Sequence, residues 1–165
     1  MSQTVMRNQS LTVFQGLLDG VAERIESYIA GEELTVGRAL TIDPDAAANL
    51  DADPLTADHY VDGETFVGIL MAETSLPSVN TTDTVQLRAV KDVVPVVRQG
   101  RVWIEIPAAI TDLSAAVLVN NAVGADAGKI RFGAAANYIT LVGATWKKYR
   151  AENSKHYGLV EINLP

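Results

Sequence analysis

Val93-Val-Pro-Val-Val-Arg98 and Arg101-Val-Trp-Ile-Glu-Ile106 are two runs rich in β-branched residues on either side of Gln99-Gly100. Val and Ile are stiff at χ1 and suit a pleated surface, so two such runs around a Gly-containing pair predict a tight hairpin. Pro95 has no amide hydrogen to give to a ladder, which puts that position at an edge or a bulge. Upstream, Leu34-Thr-Val-Gly-Arg-Ala-Leu-Thr-Ile42 alternates and stops at Asp43-Pro44, the pattern of a strand followed by a turn. Thr65 to Ala72, between Gly63 and Pro77, has strand length, and Gly68 inside it marks a bulge or a close backbone approach. Val21, Ile25 and Ile29 fit helical spacing, but Ile25, Ser27 and Ile29 would share one strand face, and strand is the preferred reading.

Downstream of Pro107, short apolar runs recur at Ala115–Val119, Lys129–Phe132, Tyr138–Thr145 and Tyr157–Leu164, with Asn-, Gly- and Asp-containing turns between them. Strands at this spacing imply an all-β fold, a compact β-sandwich or barrel. No helix-length segment combines a cap with a sustained 3.6 period, which disfavours a parallel βαβ sheet. Residues 1–13 are polar and aperiodic and read as an extended N-terminal arm, leaving residues 14–165 as a single β-rich domain. Phe14-Gln-Gly-Leu-Leu18 echoes Phe66-Val-Gly-Ile-Leu70, one five-residue match that does not make a repeat.

At 165 residues the chain suits one domain, and 48% hydrophobic against 20% charged residues excludes general disorder. A mean hydropathy of +0.13 points to apolar surface shared between subunits, hence an oligomer. The longest uncharged stretch, Phe132 to Trp146, is shorter than the roughly 20 residues that span a bilayer. No apolar run follows Arg7, so no secretory signal is expected and synthesis in a cytoplasm is. The net charge of −7 opposes phosphate-backbone binding, so no direct nucleic-acid partner is expected. Asp43 to Glu64 holds seven acids and no Lys or Arg, and reads as a long solvated acidic loop.

Signatures of chemistry in the sequence are few. The chain lacks cysteine, a Gly-x-Ser-x-Gly elbow, a phosphate-binding Gly-rich loop and His-Glu-x-x-His. Asp51, Asp53, Asp58 and Asp62 suggest calcium, but Leu55 and Thr56 stand where an EF-hand loop needs an acid and a glycine. His59 in the acidic segment reads as exposed, and His156 has no partner visible in sequence. Trp103 reads as core or subunit interface before carbohydrate platform. Trp146-Lys-Lys-Tyr-Arg150 is either a strand end with snorkelling lysines or a basic contact patch for an acidic partner, a neighbouring subunit's acidic loop included. Asn8-Gln9-Ser10 and Asn80-Thr81-Thr82 are incidental sequons. No catalytic residue, cofactor or metal site is expected.

Gly37-Arg-Ala-Leu40, Phe66-Val-Gly-Ile69, Val96-Val-Arg-Gln-Gly-Arg-Val-Trp-Ile104, Val117-Leu-Val119 and Gly158-Leu-Val-Glu-Ile-Asn-Leu164 occur in that order. This succession, over about residues 14–165, resembles the cement, or head-decoration, proteins of tailed bacteriophages. Asp112-Leu-Ser-Ala-Ala116 stands where relatives often have a Gly-Asp turn. The resemblance implies a non-enzymatic, commonly trimeric protein on the outside of the expanded capsid that clamps neighbouring major capsid subunits. Its expected partners are the major capsid protein and itself, without nucleic acid or membrane, and its place is the virion exterior after synthesis in the host cytoplasm. Candidate contact residues are Phe14 beside the arm and Trp146, Lys147, Lys148 and Arg150. A phage fibre or adhesin, or a carbohydrate-binding β-sandwich, would share the composition, but the ten aromatics are scattered along the chain.

Overall fold

The hairpin expected at Gln99-Gly100 does not form. In the computed structural model, which describes residues 13, 15–43, 55–72 and 87–165, Val93–Ile106 is one fourteen-residue strand. The strands in chain order are β1 (Arg24–Ala30), β2 (Leu34–Thr35), β3 (Ala39–Ile42), β4 (Thr56–His59), β5 (Thr65–Leu70) and β6 (Leu87–Arg88). They continue as β7 (Val93–Ile106), β8 (Ala116–Asn120), β9 (Ile130–Arg131), β10 (Tyr138–Glu152) and β11 (Lys155–Asn163), and no helix occurs among the described residues.

Pairing along both edges of β7 overrides the local turn signal. On one edge, β1 runs antiparallel from Ile25↔Val97 to Ile29↔Val93. The segment before β1 continues that edge: the Gly16 amide donates to the Trp103 carbonyl (2.8 Å), the Trp103 amide to Leu17 (2.9 Å) and the Asp19 amide to Arg101 (2.9 Å). On the other edge lie β5, at Ile69↔Val97 and Leu70↔Val96, and β11, from Asn163↔Gln99 to His156↔Ile106. Gly100 takes φ +150°, a conformation open to glycine, and lets the strand change course without reversing.

The first half of β7 closes a five-strand barrel, β1-β4-β3-β5-β7 and back to β1, in which only β1–β4 is parallel. Leu34, Leu40, Val67, Leu70, Val94 and Val96 fill it. The second half continues into β7-β11-β10-β8-β9, whose buried face carries Ile104, Val119, Ile130, Leu141, Trp146 and Val160. One strand therefore serves two cores, and the all-β fold is a barrel joined to a curved sheet.

Several local expectations change. The run Leu34–Ile42 is broken because Gly37, at φ +79°, turns the chain and donates its amide to the Leu70 carbonyl (2.7 Å). β2 then pairs β6 in a separate two-stranded sheet. The expected acidic loop is interrupted by β4, with Ala57 and His59 buried, because Thr56-Ala-Asp-His59 fills the gap between β1 and β3 in the barrel. Residues 44–54 lie outside the described ones. Pro95 sits just past the last β5 pair, where the ladder has no use for its missing N–H. Gly68 is the close approach foreseen: at φ +142°, an added Cβ would collide with the Val97 carbonyl oxygen. β10 runs on from Tyr138 to Glu152, so Trp146–Arg150 is mid-strand and not a strand end. Its hairpin with β11 turns on Asn153-Ser154, both at positive φ (50° and 63°), which is type I′ geometry without a glycine.

Of the proposed arm, Val13 is 4% exposed and packs beside Trp103, Tyr157 and Leu159, so the domain's own packing begins at least there. Residues 1–12 and Phe14 lie outside the described ones.

Gly158 faces the Trp146 indole, and a Cβ on it would overlap that ring and sit 2.8 Å from Ile110 Cδ1. Gly158→Ala should therefore destabilise the fold by about 1–3 kcal/mol through overpacking. The check is urea unfolding, where the midpoint should drop with an unchanged slope.

Candidate functional site

Lys147, Lys148 and Arg150 lie on β10, and their presentation depends on Trp146. The indole is 3% exposed and its Nε1–H donates to the Ala116 carbonyl (3.3 Å), fastening β10 to β8. Trp146 is thus a core residue, where the sequence had suggested a surface contact. The β10–β11 register shifts between Trp146 and Lys148, the mark of a bulge. An extra residue breaks the in–out alternation, so Lys147 and Lys148 are both exposed directly after a buried tryptophan.

Around them lies a mixed-charge surface. Glu161 on β11 accepts from Arg101 Nε on β7 (2.9 Å) and pairs with Lys147 Nζ on β10 (2.7 Å), a charge ladder across three strands. Hydrogen bonds from Lys147 and then Arg101 hold its carboxyl below the usual glutamate range. Arg150 pairs with Glu152 (3.2 Å), and Lys155 Nζ donates to Glu105 (3.1 Å). Tyr149 Oη lies 2.5 Å from His156 Nδ1 with the rings stacked, which supplies the partner of His156 that the sequence did not disclose. β8 pairs β10 only as far as Thr145↔Ala116. Beyond it, among the described residues, no strand pairs the outer edge of Lys147–Glu152, and an edge of that kind can accept an extended segment from a partner.

A cleft of about 260 Å³ opens on the barrel, lined by Glu32, Asp58, His59, Tyr60, Glu64 and Val123 among others. His59, expected at the surface, is 7% exposed because β4 is a barrel strand. Its Nδ1 lies 2.8 Å from Glu32 Oε1, and its Nε2 accepts the Thr35 amide (3.1 Å). An acceptor at Nε2 fixes the neutral tautomer with the proton on Nδ1, donated to Glu32. Burial pushes the imidazole below its ordinary range, Glu32 pulling the other way. Asp58 is raised by burial and then by repulsion from Glu32 and Glu64. With both ring nitrogens engaged, neither is free to act as a base on a molecule in the cleft. Among the described residues no group of three or more His, Cys, Asp or Glu side chains is placed to hold a metal ion. Glu32 escaped sequence reading because nothing in the pattern pairs it with a histidine 27 positions away.

A solved structure described as the capsid of Myoviridae phage XM1 contains a chain similar in fold, with a TM-score of 0.65 at 17% identity, covering 96% of this chain and 98% of that one. No curated protein matches. Residues 1–164 match the family described as structural cement protein (E217 gp24/Pam3 gp6). The all-β fold is that of the neighbour just described and the family match runs over nearly every residue, so the chain belongs to the structural cement proteins of bacteriophages.

Proposed function

We propose that this cement protein sits on the outside of the expanded head as a trimer and clamps neighbouring major capsid subunits without chemical turnover. The chain would be made in the host cytoplasm and carried on the virion. Residues 1–13 would serve as the arm, anchored at its end by the buried Val13, and residues 14–165 as the clamping domain, with Phe14 where the two meet. The observation that carries the reading is the bulge after Trp146, which turns Lys147 and Lys148 outward together beside an edge of β10 that no strand among the described residues pairs. Strand addition supplies backbone hydrogen bonds, and the cations favour an acidic partner. Lys147 and Arg150 already hold Glu161 and Glu152, so a partner carboxylate would exchange with those bonds instead of meeting bare charges. Each such exposed pair contributes only ~0–1 kcal/mol, which makes the clamp a device of many weak sites.

Particles lacking the protein should lose DNA at a lower temperature, and adding the purified protein back should restore resistance, because only the assembled lattice offers the complete site. Differential scanning of particles with and without it is the check, and equal midpoints would count against clamping.

Replacing Lys147, Lys148 and Arg150 together by glutamate should weaken rebinding about tenfold or more at low salt, with a much smaller difference at high salt. Sedimentation of particles with labelled protein reads the effect, and an equal loss at both ionic strengths would point to misfolding or apolar contact. Light scattering of the free protein should give three chain masses at high concentration, and a species monomeric both in solution and on the particle would overturn the trimer.

A further inference from the structure

We infer that the corner held by His59 is an acid-sensitive latch: a second proton on the imidazole can go only to Nε2, where it removes the acceptor of the Thr35 amide and loosens the Thr35 end of the Gly31–Thr35 corner, while the Gly31 and Glu32 bonds to β4 remain. This goes beyond the cement reading and does not depend on it.

The chain leaves β1 at Ala30 and turns through Gly31, Glu32 and Glu33 into β2. Four hydrogen bonds fasten this corner to β4. The Gly31 amide donates to the Ala57 carbonyl (3.0 Å), and Glu32 Oε1 accepts both the His59 amide (3.0 Å) and the His59 ring N–H (2.8 Å). The Thr35 amide donates to His59 Nε2 (3.1 Å). Three of the four end on His59. Gly31 permits the approach, since a Cβ there would lie 2.8 Å from Thr56 Cγ2. The imidazolium would set N–H against N–H at Nε2 in a buried place, leaving an amide without an acceptor and a cation without water.

The surroundings do not relieve it. Glu32 and Asp58 attract an imidazolium, while burial and the Arg38 guanidinium oppose it, with burial the largest influence. Arg38 cannot easily withdraw, because it donates to the carbonyls of Ala125 (2.6 Å) and Ala127 (3.1 Å). Glu64, on the far wall, is engaged by the Thr41 hydroxyl (2.6 Å), and Tyr60 and the loop carrying Asp126 complete the ring of groups about the cleft. A histidine whose folded-state affinity for protons is lowered takes its proton first in the unfolded chain. The stability it contributes is present above the ordinary value of 6.5 and is lost as pH falls below it. Asp58, raised by burial and then by Glu32 and Glu64, works in the opposite sense, since it takes its proton first in the folded chain.

The test measures amide protection and thermal unfolding of the full-length protein between about pH 7.5 and about pH 5, the span in which an ordinary histidine titrates. Wild type should lose stability across this span, and Thr35 protection should fall about tenfold relative to the core amide of Leu40, one decade per 1.4 kcal/mol. His59→Gln retains a carbonyl acceptor and an N–H donor but cannot gain a proton, so its profile should be flat. Glu32→Gln removes the attraction for the imidazolium and should deepen the loss, which keeps the proposal testable if His59→Gln fails to fold. Thr35 protection that persists on acidification, a His59→Gln profile parallel to wild type, or a shallower loss in Glu32→Gln would overturn it.

Discussion

The fold depends on one strand having no spare edge. β7 is bonded on one side by β1 and the Gly16–Asp19 segment, and on the other by β5 and β11, so its fourteen residues are held almost end to end. Each half of the strand also points apolar side chains into a different core, Val94 and Val96 into the barrel and Ile104 into the curved sheet. Folding the strand back at Gln99-Gly100 would have paired the two halves with each other and left β1, β5 and β11 without partners. Buried backbone groups without partners are among the costliest defects a sheet protein can carry, so the long strand prevails over the local turn.

That hierarchy explains what was legible in the sequence. Alternation and β-branching locate strands at β1, β3, β5, β8 and β11, because those signals act over a few residues. Gly68 is foreseeable because a glycine inside an apolar run has few other reasons to be there. Pairing partners are not foreseeable in this way. Whether Gly100 ends a strand or bends one depends on residues such as Leu17 and Ile162 far along the chain, and the same holds for β4, whose four residues look like acidic loop until β1 and β3 flank them. Asn153-Ser154 turns the chain in a left-handed conformation that glycine usually supplies. The histidine–glutamate pair has the same character: both residues are visible, and only the closed barrel makes them neighbours.

The surface follows from the core in the same sense. Gly158 leaves room for the Trp146 indole, the indole anchors β10 to β8, and the bulge after it rotates two successive lysines to solvent. Trp146-Lys-Lys-Tyr-Arg150 therefore holds a packing residue and a charged surface, divided by a single extra residue in the strand. Edge lysines ordinarily discourage strands of like charge from pairing. Here they would set Lys148 against the same cations of a second β10, which would disfavour symmetric edge pairing between copies and favour segments of opposite charge.

A cement made this way need not bind strongly at any one point. The ion pairs across β7, β10 and β11 are partly solvated, and exchanging one of them for a partner's carboxylate changes little free energy in a single copy. On a lattice, the proposed exchange would recur at every equivalent site, and loosening one capsid subunit would break several of them together. The physical demand on the protein is then rigidity more than affinity: the surface has to arrive already shaped, so that little ordering entropy is lost at each contact. A central strand bonded on both edges, and shared between two packed cores, meets that demand.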